Sequence, residues 1–513
     1  MELERISYLN GQSPSDTLTI IDNIVDPLSI IVNYLIAGTI VIVTSLIFTM
    51  VEPKTCDWFL LPAIFCGVLI GSDVVAWFRG QIDPFDPKGL IGFVVFFGFF
   101  VAPILHVVWN DYDPYLRFHG DPRKWLLVAT TANAMGLLVF KGAQHWAYRH
   151  TNPIQNTWEV VPQRILPIMA LVMPVAFGTW LYFERLKWKR GVVEEFVLSH
   201  LAMQGSGWLL IFGGEFMAVL LLMGLISRTM AKRMDRSWKT CAFIFLVGVV
   251  GQLFLTVFSG IRGLILQGIF WIAGLIHYYW RRVSPTFLLI GLICFLPFMY
   301  FYSFYKDLMQ PGMLTSLTVI KQSKELERET GRTFHRVLLS DLARADVQAR
   351  IASGVMDPGE KYDLMYGRTY LFALSKLIPA TIRQLLFEEP SFLSWSKGKA
   401  FIDLNEGKGF VSEQANWGTN AFGLGGEAML NFGLLGVPVA WLVFGLVLGI
   451  FRHKRDTLHL QDARWALVPF LSYWLAITPL WDLDVLVFQT VTGGFIPFLC
   501  ILLWSRKIKN REI

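Results

Sequence analysis

Five ionisable side chains lie within or between apolar runs long enough to cross a bilayer. They are Arg262 in FSGIRGLILQG, Glu427 in GLGGEAMLNFG, Asp482 and Asp484 in PLWDLDVL, and Glu215 inside an apolar stretch. Charged groups at membrane depth are costly and mark functional positions by default. The guanidinium of Arg262 can grip an oxyanion through two parallel hydrogen bonds, and it stays charged at any physiological pH. Gly260 and Gly263 beside it let backbone N–H groups approach a ligand. A phosphate or pyrophosphate is the natural partner. The competing account is a simple anchor, because arginine at a helix end often snorkels to the interface.

Glu427 and Asn431 are four residues apart and share one helix face. A carboxylate there could orient a sugar hydroxyl or an arginine. It could equally cap the start of the helix, where negative charge is favoured. Gly433 and Gly436 would allow close helix packing. His335, in TGRTFHRVLL, carries an imidazole that titrates near neutrality and could act as a general base. On so charged a helix a solvated surface role is the plainer account. His145 and His150 read as structural. The sequence contains no Walker-type loop, no metal-ligand spacing and no Ser/His/Asp signature.

These groups need a membrane scaffold to position them. The chain has 513 residues, 54% hydrophobic and 16% charged, with a mean hydropathy of +0.49. Soluble domains carry about 25% charged residues. An all-α polytopic membrane protein is expected. Twelve spans are read at 28–50, 57–77, 89–109, 125–141, 165–183, 207–227, 239–258, 263–280, 285–304, 427–450, 464–480 and 485–504. The first 27 residues do not resemble a cleavable signal. The five cysteines form no CxxC pair or Cys/His cluster, so neither a disulfide framework nor a zinc site is indicated. The net charge of +6 reports orientation rather than nucleic-acid binding.

Lys and Arg in the short connections set the orientation. With the N-terminus in the cytoplasm, about 21 fall inside and about 9 outside. Both termini are then cytoplasmic, and Arg262 faces outward. Three regions follow: a membrane region at 1–304, a large outer loop at 305–426, and a second membrane region at 427–513. The loop is nearly neutral, with 15 basic and 14 acidic residues. Residues 314–328, 333–353 and 362–388 read as helical, with Pro379 kinking or ending the last. A loop this long is commonly functional or partly folded, so a small helical cap is expected. The outer segment 183–206 holds Arg185, Lys187, Lys189 and Arg190 on the side where positive charge is normally scarce. It reads as an interfacial helix, a basic surface for an anionic ligand, or a sign that the topology shifts there by one helix. The Asp-Pro pieces DPFDPKG and NDYDPYLRFHGDPRK read as turn chemistry.

Three pieces, in order, carry a resemblance: SGIRGLIL at 259–266, RTYLFALSKLIPATIRQLLFEEP at 368–390, and GLGGEAMLNFGLLG at 423–436. Over about its second half the chain resembles the O-antigen polymerase family, the Wzy type of oligosaccharide repeat-unit polymerase. The resemblance implies a glycosyltransferase that needs no nucleotide, metal or other cofactor. Its donor would be a growing glycan on undecaprenyl pyrophosphate, and its acceptor one lipid-linked repeat unit at the outer leaflet of a bacterial inner membrane. The product would be an O-antigen or exopolysaccharide of the cell envelope. A chain-length regulator and a flippase would be candidate protein partners. By motif, the pyrophosphate-gripping arginine of the family falls on Arg262. Arg368, Arg185 and Arg190 are further substrate-binding candidates, with Asn431 and Asp484. Glu427, Asp482 and His335 are the candidates for taking the acceptor proton. O-antigen ligases share the layout and use an outer-loop histidine, whose motif has no convincing counterpart here. A lipid-linked oligosaccharide flippase is the alternative of another class, although no duplicated halves are evident.

Overall fold

The computed structural model describes residues 27–113, 116–190, 216–230, 238–256, 262–308, 333–357, 362–378, 380–386, 395–406, 421–459 and 461–509, together with 209, 212 and 359. The chain starts with α1 (Pro27–Val51) and α2 (Leu60–Phe78). The continuous helix α3 (Pro87–Trp109) follows, then α4 (Pro122–His150). Strand β1 (Asn156–Val160) precedes α5 (Pro162–Arg190), α6 (Met217–Met230), α7 (Trp238–Thr256), α8 (Arg262–Tyr279) and α9 (Pro285–Leu308). The loop region contributes α10 (Ala345–Met356), α11 (Arg368–Ser375), α12 (Ala380–Leu386) and α13 (Lys397–Glu406). The C-terminal part comprises α14 (Gly423–Phe432), α15 (Gly436–Asp456), α16 (Val468–Ile477), α17 (Leu483–Trp504) and strand β2 (Ser505–Lys509).

Among the described residues, eight helices are long and apolar enough to cross a membrane: α1 to α4, the 162–183 part of α5, α7, α15 and α17. The other four expected spans fall on shorter apolar stretches. These are Met217–Ile226, Gly263–Tyr279, Pro285–Tyr300 and the ten-residue α16. The span expected at 427–450 starts later, at Gly436, and Glu427 belongs to the separate helix α14. The corner is made by glycines. Gly433 leaves α14 with φ of 69°, and a Cβ on Gly436 would lie 2.5 Å from the Ala428 carbonyl oxygen. Their role is to turn the chain rather than to pack two long helices together.

The Asp-Pro pieces are helix starts as well as turns. Asp86 and Asp121 accept hydrogen bonds from the backbone N–H of Lys88 and Arg123, and Pro87 and Pro122 occupy the first helical position. This is the usual chemistry of a helix N-terminus. The tightest helix pair is α4 with α15. A Cβ on Gly445 or Gly449 would lie 2.6 or 2.4 Å from the carbonyl oxygen of Phe140 or Gln144, and Gly136 receives the ring of Trp441. Small residues at such a crossing let two backbones touch.

Two large apolar cores result among the described residues. One joins α1 to α4 with α10, α14 and α15 around Phe100, Phe140 and Trp441; the other joins α5 to α8 with α16 and α17 around Trp271, Phe470 and Trp504. One departure from an all-helical chain is a small antiparallel ribbon. β1 pairs with β2 from Asn156 opposite Lys509 to Val160 opposite Ser505.

Residues expected to be helical at 314–328 lie outside the described residues. The 362–388 stretch is two short helices, α11 and α12, on either side of Pro379. In the 333–353 stretch a short helical turn precedes α10. Every residue of α10 from Ala345 to Gly354 is buried. The helix wedges into the bundle between α4 and α14. Gln348 accepts from Asn133 Nδ2 at 2.8 Å and donates to the Phe422 carbonyl at 3.1 Å. The loop region therefore reaches into the helix bundle instead of resting on it.

Candidate functional site

Where α14 meets the α16–α17 corner, five charged side chains gather. Asp482 accepts from the backbone N–H groups of Phe422 (2.7 Å) and Gly423 (3.0 Å), and so pins the start of α14. A residue with a side chain would not fit at Gly423. Its φ is 71°, and a Cβ would lie 2.5 Å from the Pro479 carbonyl oxygen. Glu427, one turn along α14, accepts from Leu483 N–H at 2.8 Å and from the Thr369 hydroxyl at 2.9 Å. Asn431, a further turn along, donates to Thr369 Oγ1 at 2.7 Å and accepts from Gly367 N–H at 2.9 Å. The 365–369 turn is thus fastened to α14 by side chains spaced four residues apart. It includes Tyr366 and Gly367, both with positive φ.

Two lysines complete the cluster. Lys376 reaches Asp484 at 2.7 Å, and Lys397 bridges Asp482 at 2.6 Å and Asp484 at 3.4 Å. Burial works against the charge of Lys397, but the neighbouring carboxylates of Asp482 and Asp484 outweigh it and keep it protonated. Among the described residues, no cation forms a direct ion pair with Glu427. Burial, aided by the nearby charge of Asp482, pushes its carboxyl up to about 8. With Glu427 protonated, two carboxylates face two ammonium groups and the cluster is neutral. Releasing that proton makes it anionic.

Four of the residues singled out from the sequence, Glu427, Asn431, Asp482 and Asp484, therefore meet in one place. Arg368 is adjacent: it opens α11 beside Thr369, is exposed, and lies over the Trp395 ring at 5.9 Å. Arg262 is the first residue of α8, and its side chain lies outside the described residues. Its neighbour Gly263 accepts from Tyr473 Oη at 3.2 Å. That contact puts the start of α8 beside the middle of α16. His335 is exposed and stacks on Trp109, with ring centroids 4.0 Å apart. No hydrogen bond or ring contact joins it to the cluster among the described residues. Arg185 is exposed near the end of α5; the side chain of Arg190, and Glu215 altogether, lie outside the described residues.

Thr369, Lys376 and Lys397 were not singled out from the sequence. A threonine and two lysines in a charged loop carry no spacing signal, and only the fold brings them to Glu427 and Asp482. The cluster resembles no metal cage. Among the described residues, no group of three His, Cys, Asp or Glu side chains could hold a metal ion.

A second charge network lies at the other end of the bundle. Asp86 is gripped by Arg452 Nε at 2.9 Å and Arg455 Nη2 at 2.8 Å. Asp83 takes His277 at 2.9 Å and Tyr278 at 3.2 Å, and Asp73 takes Lys88 and Lys141. Several of these cations are the ones whose excess sets the expected orientation. In the fold they rivet the α2–α3 turn to α4, α8 and α15.

Fold and site together define a polytopic α-helical membrane protein with a buried carboxylate–lysine cluster near one end of its bundle. Comparison of the chain with family models, curated proteins and solved structures returns no match.

Proposed function

We propose that this protein polymerises undecaprenyl-pyrophosphate-linked oligosaccharide repeat units, with the Glu427 cluster at the outer face of a twelve-span inner-membrane fold. The observation that supports this reading best is the bond between two of the resembling pieces. RTYLFALSK and GLGGEAMLNFG, more than fifty residues apart, meet through Thr369, Glu427 and Asn431. The third piece, SGIRGLIL, leads into α8, whose Gly263 is bonded to Tyr473 in the middle of α16.

In the proposed reaction, the acceptor sugar's hydroxyl oxygen forms a bond to the anomeric carbon of the donor. The anomeric carbon–phosphate oxygen bond breaks, and its electron pair leaves with undecaprenyl pyrophosphate. Glu427 takes the hydroxyl proton. A general base works best when its pKa lies near the operating pH, and a carboxyl held at about 8 meets that condition. Asp482 is less suited, because Lys397 and two backbone N–H groups already occupy it. Charge building on the leaving pyrophosphate would be met by Arg262 and Arg368.

Lipid analysis of a strain lacking the gene tests the reading against its alternatives. Loss of a polymerase leaves single lipid-linked repeat units presented at the outer leaflet. Units trapped at the inner leaflet would indicate a flippase. Polymer that is made but stays on its lipid carrier would indicate a ligase.

A further inference from the structure

We infer that α11 and α12 lie in the membrane interface, with their leucine faces among the acyl chains of the bilayer, so that lipid forms the side wall of the Glu427 cluster. Neither helix is long enough to span. Yet Leu371, Leu374, Ile382, Leu385 and Leu386 are each between 48% and 86% exposed. Five large aliphatic side chains left open within sixteen residues mark an interaction surface, not ordinary surface scatter.

The pattern on α11 is two-sided. Thr369, Phe372, Ala373 and Ser375 form the buried face, while Arg368, Leu371 and Leu374 follow each other at three-residue spacing on the open one. The buried face packs along the spanning helix α17, so the open leucines run beside a helix that itself faces lipid. The apolar surface continues beside α11, where the Tyr370 and Phe432 ring centroids are 6.1 Å apart. Phe432 at the end of α14 and Leu435 at the start of α15 are also exposed. At one end of the stripe stand Arg368, Trp395 and the exposed Tyr366. Arginine, tryptophan and tyrosine at one level, with leucine beyond, is the order expected from headgroup to hydrocarbon. A water-facing cap would not need that order.

The inference does not depend on the reaction proposed above, and spin labelling tests it directly. The exposed Cys56 and Cys294 are replaced by Ser, and single cysteines are introduced by Leu371→Cys, Leu374→Cys and Leu385→Cys. Two references are made: Val443→Cys on the exposed flank of α15, and Gly359→Cys in the exposed turn after α10. Each labelled protein is reconstituted in vesicles of zwitterionic and anionic phospholipid with no other protein present. Collision rates with molecular oxygen and with a water-soluble nickel chelate are then measured. All three labels are expected to favour oxygen, as Val443→Cys does. Labels that favour nickel, as Gly359→Cys does, would overturn the inference. So would labels shielded from both reagents, which would mean that protein covers this face.

Discussion

The Thr369 hydroxyl donates to Glu427 at 2.9 Å while accepting from Asn431 at 2.7 Å, so one buried threonine joins the 365–369 turn to helix α14. The direction of these bonds is fixed. An amide NH2 can only donate, so the threonine proton must point to the carboxyl. Replacing Thr369 with Val keeps the shape but leaves Glu427 and Asn431 each one partner short. Each unpaired buried polar group costs about 1–3 kcal/mol. T369V is expected to unfold at lower temperature and to lose polymer formation, whereas T369S retains both. Thermal unfolding in detergent and polymer length on gels check the pair.

Glu427 gives the protein a specific pH response. Its carboxyl is held in the fold at about 8, against an ordinary value of 4.5. A raised acid binds its proton more tightly in the folded state. The stability this contributes is complete below about pH 4.5 and is lost as pH rises through about 8. Activity should run the other way, increasing as Glu427 loses its proton. Glu427→Gln is expected to flatten the stability slope between pH 5 and 9 and to abolish turnover. Unfolding midpoints and initial rates across that range would show both effects.

The Lys397–Asp482 pair should behave as one unit. Removing one member of a buried ion pair costs about 3–5 kcal/mol, because the other charge stays behind. K397M leaves Asp482 with two N–H partners and no cation. D482N leaves Lys397 with Asp484, which already holds Lys376. The double variant K397M/D482N is expected to be more stable than the sum of the single losses predicts. Strict additivity in such a double-mutant cycle would mean that the two side chains do not interact.

Gly423 is the least replaceable residue of the site. Its φ is 71°, and a methyl group would lie 2.5 Å from the Pro479 carbonyl oxygen. Both objections apply to alanine. G423A is expected to displace the start of α14 from Asp482, with an activity loss exceeding that of the neighbouring change Leu424→Ala. Comparing the two variants' activity at matched protein levels separates the backbone effect from mere crowding.

How far the sequence foretells this site depends on the kind of signal each residue carries. Glu427, Asp482 and Asp484 stand out because a charge beside an apolar run is expensive, and Asn431 because it lies one helical turn from Glu427. Lys376 and Lys397 sit among other charges, so their burial against the aspartates is a tertiary event with no local trace. The helical hydrophobic pattern marks the spanning elements, but it runs α14 into α15. Both are apolar, and only the glycine corner at Gly433 to Gly436 separates them. The sequence marks 333–353 as helical but not α10 as a buried wedge, since the polar Asp346, Gln348 and Arg350 are buried only through tertiary contacts. The β1–β2 ribbon joins segments more than 300 residues apart, a pairing that no window along the chain can reveal.

The most direct test of the central proposal is reconstitution. Purified protein in liposomes would be given the lipid-linked oligosaccharide that accumulates in the deletion strain. A ladder of polymer lengths is expected, with one undecaprenyl pyrophosphate released for each linkage formed, and its loss in Glu427→Gln and Arg262→Ala. Folded wild-type protein that leaves this substrate intact and releases no lipid pyrophosphate would contradict it.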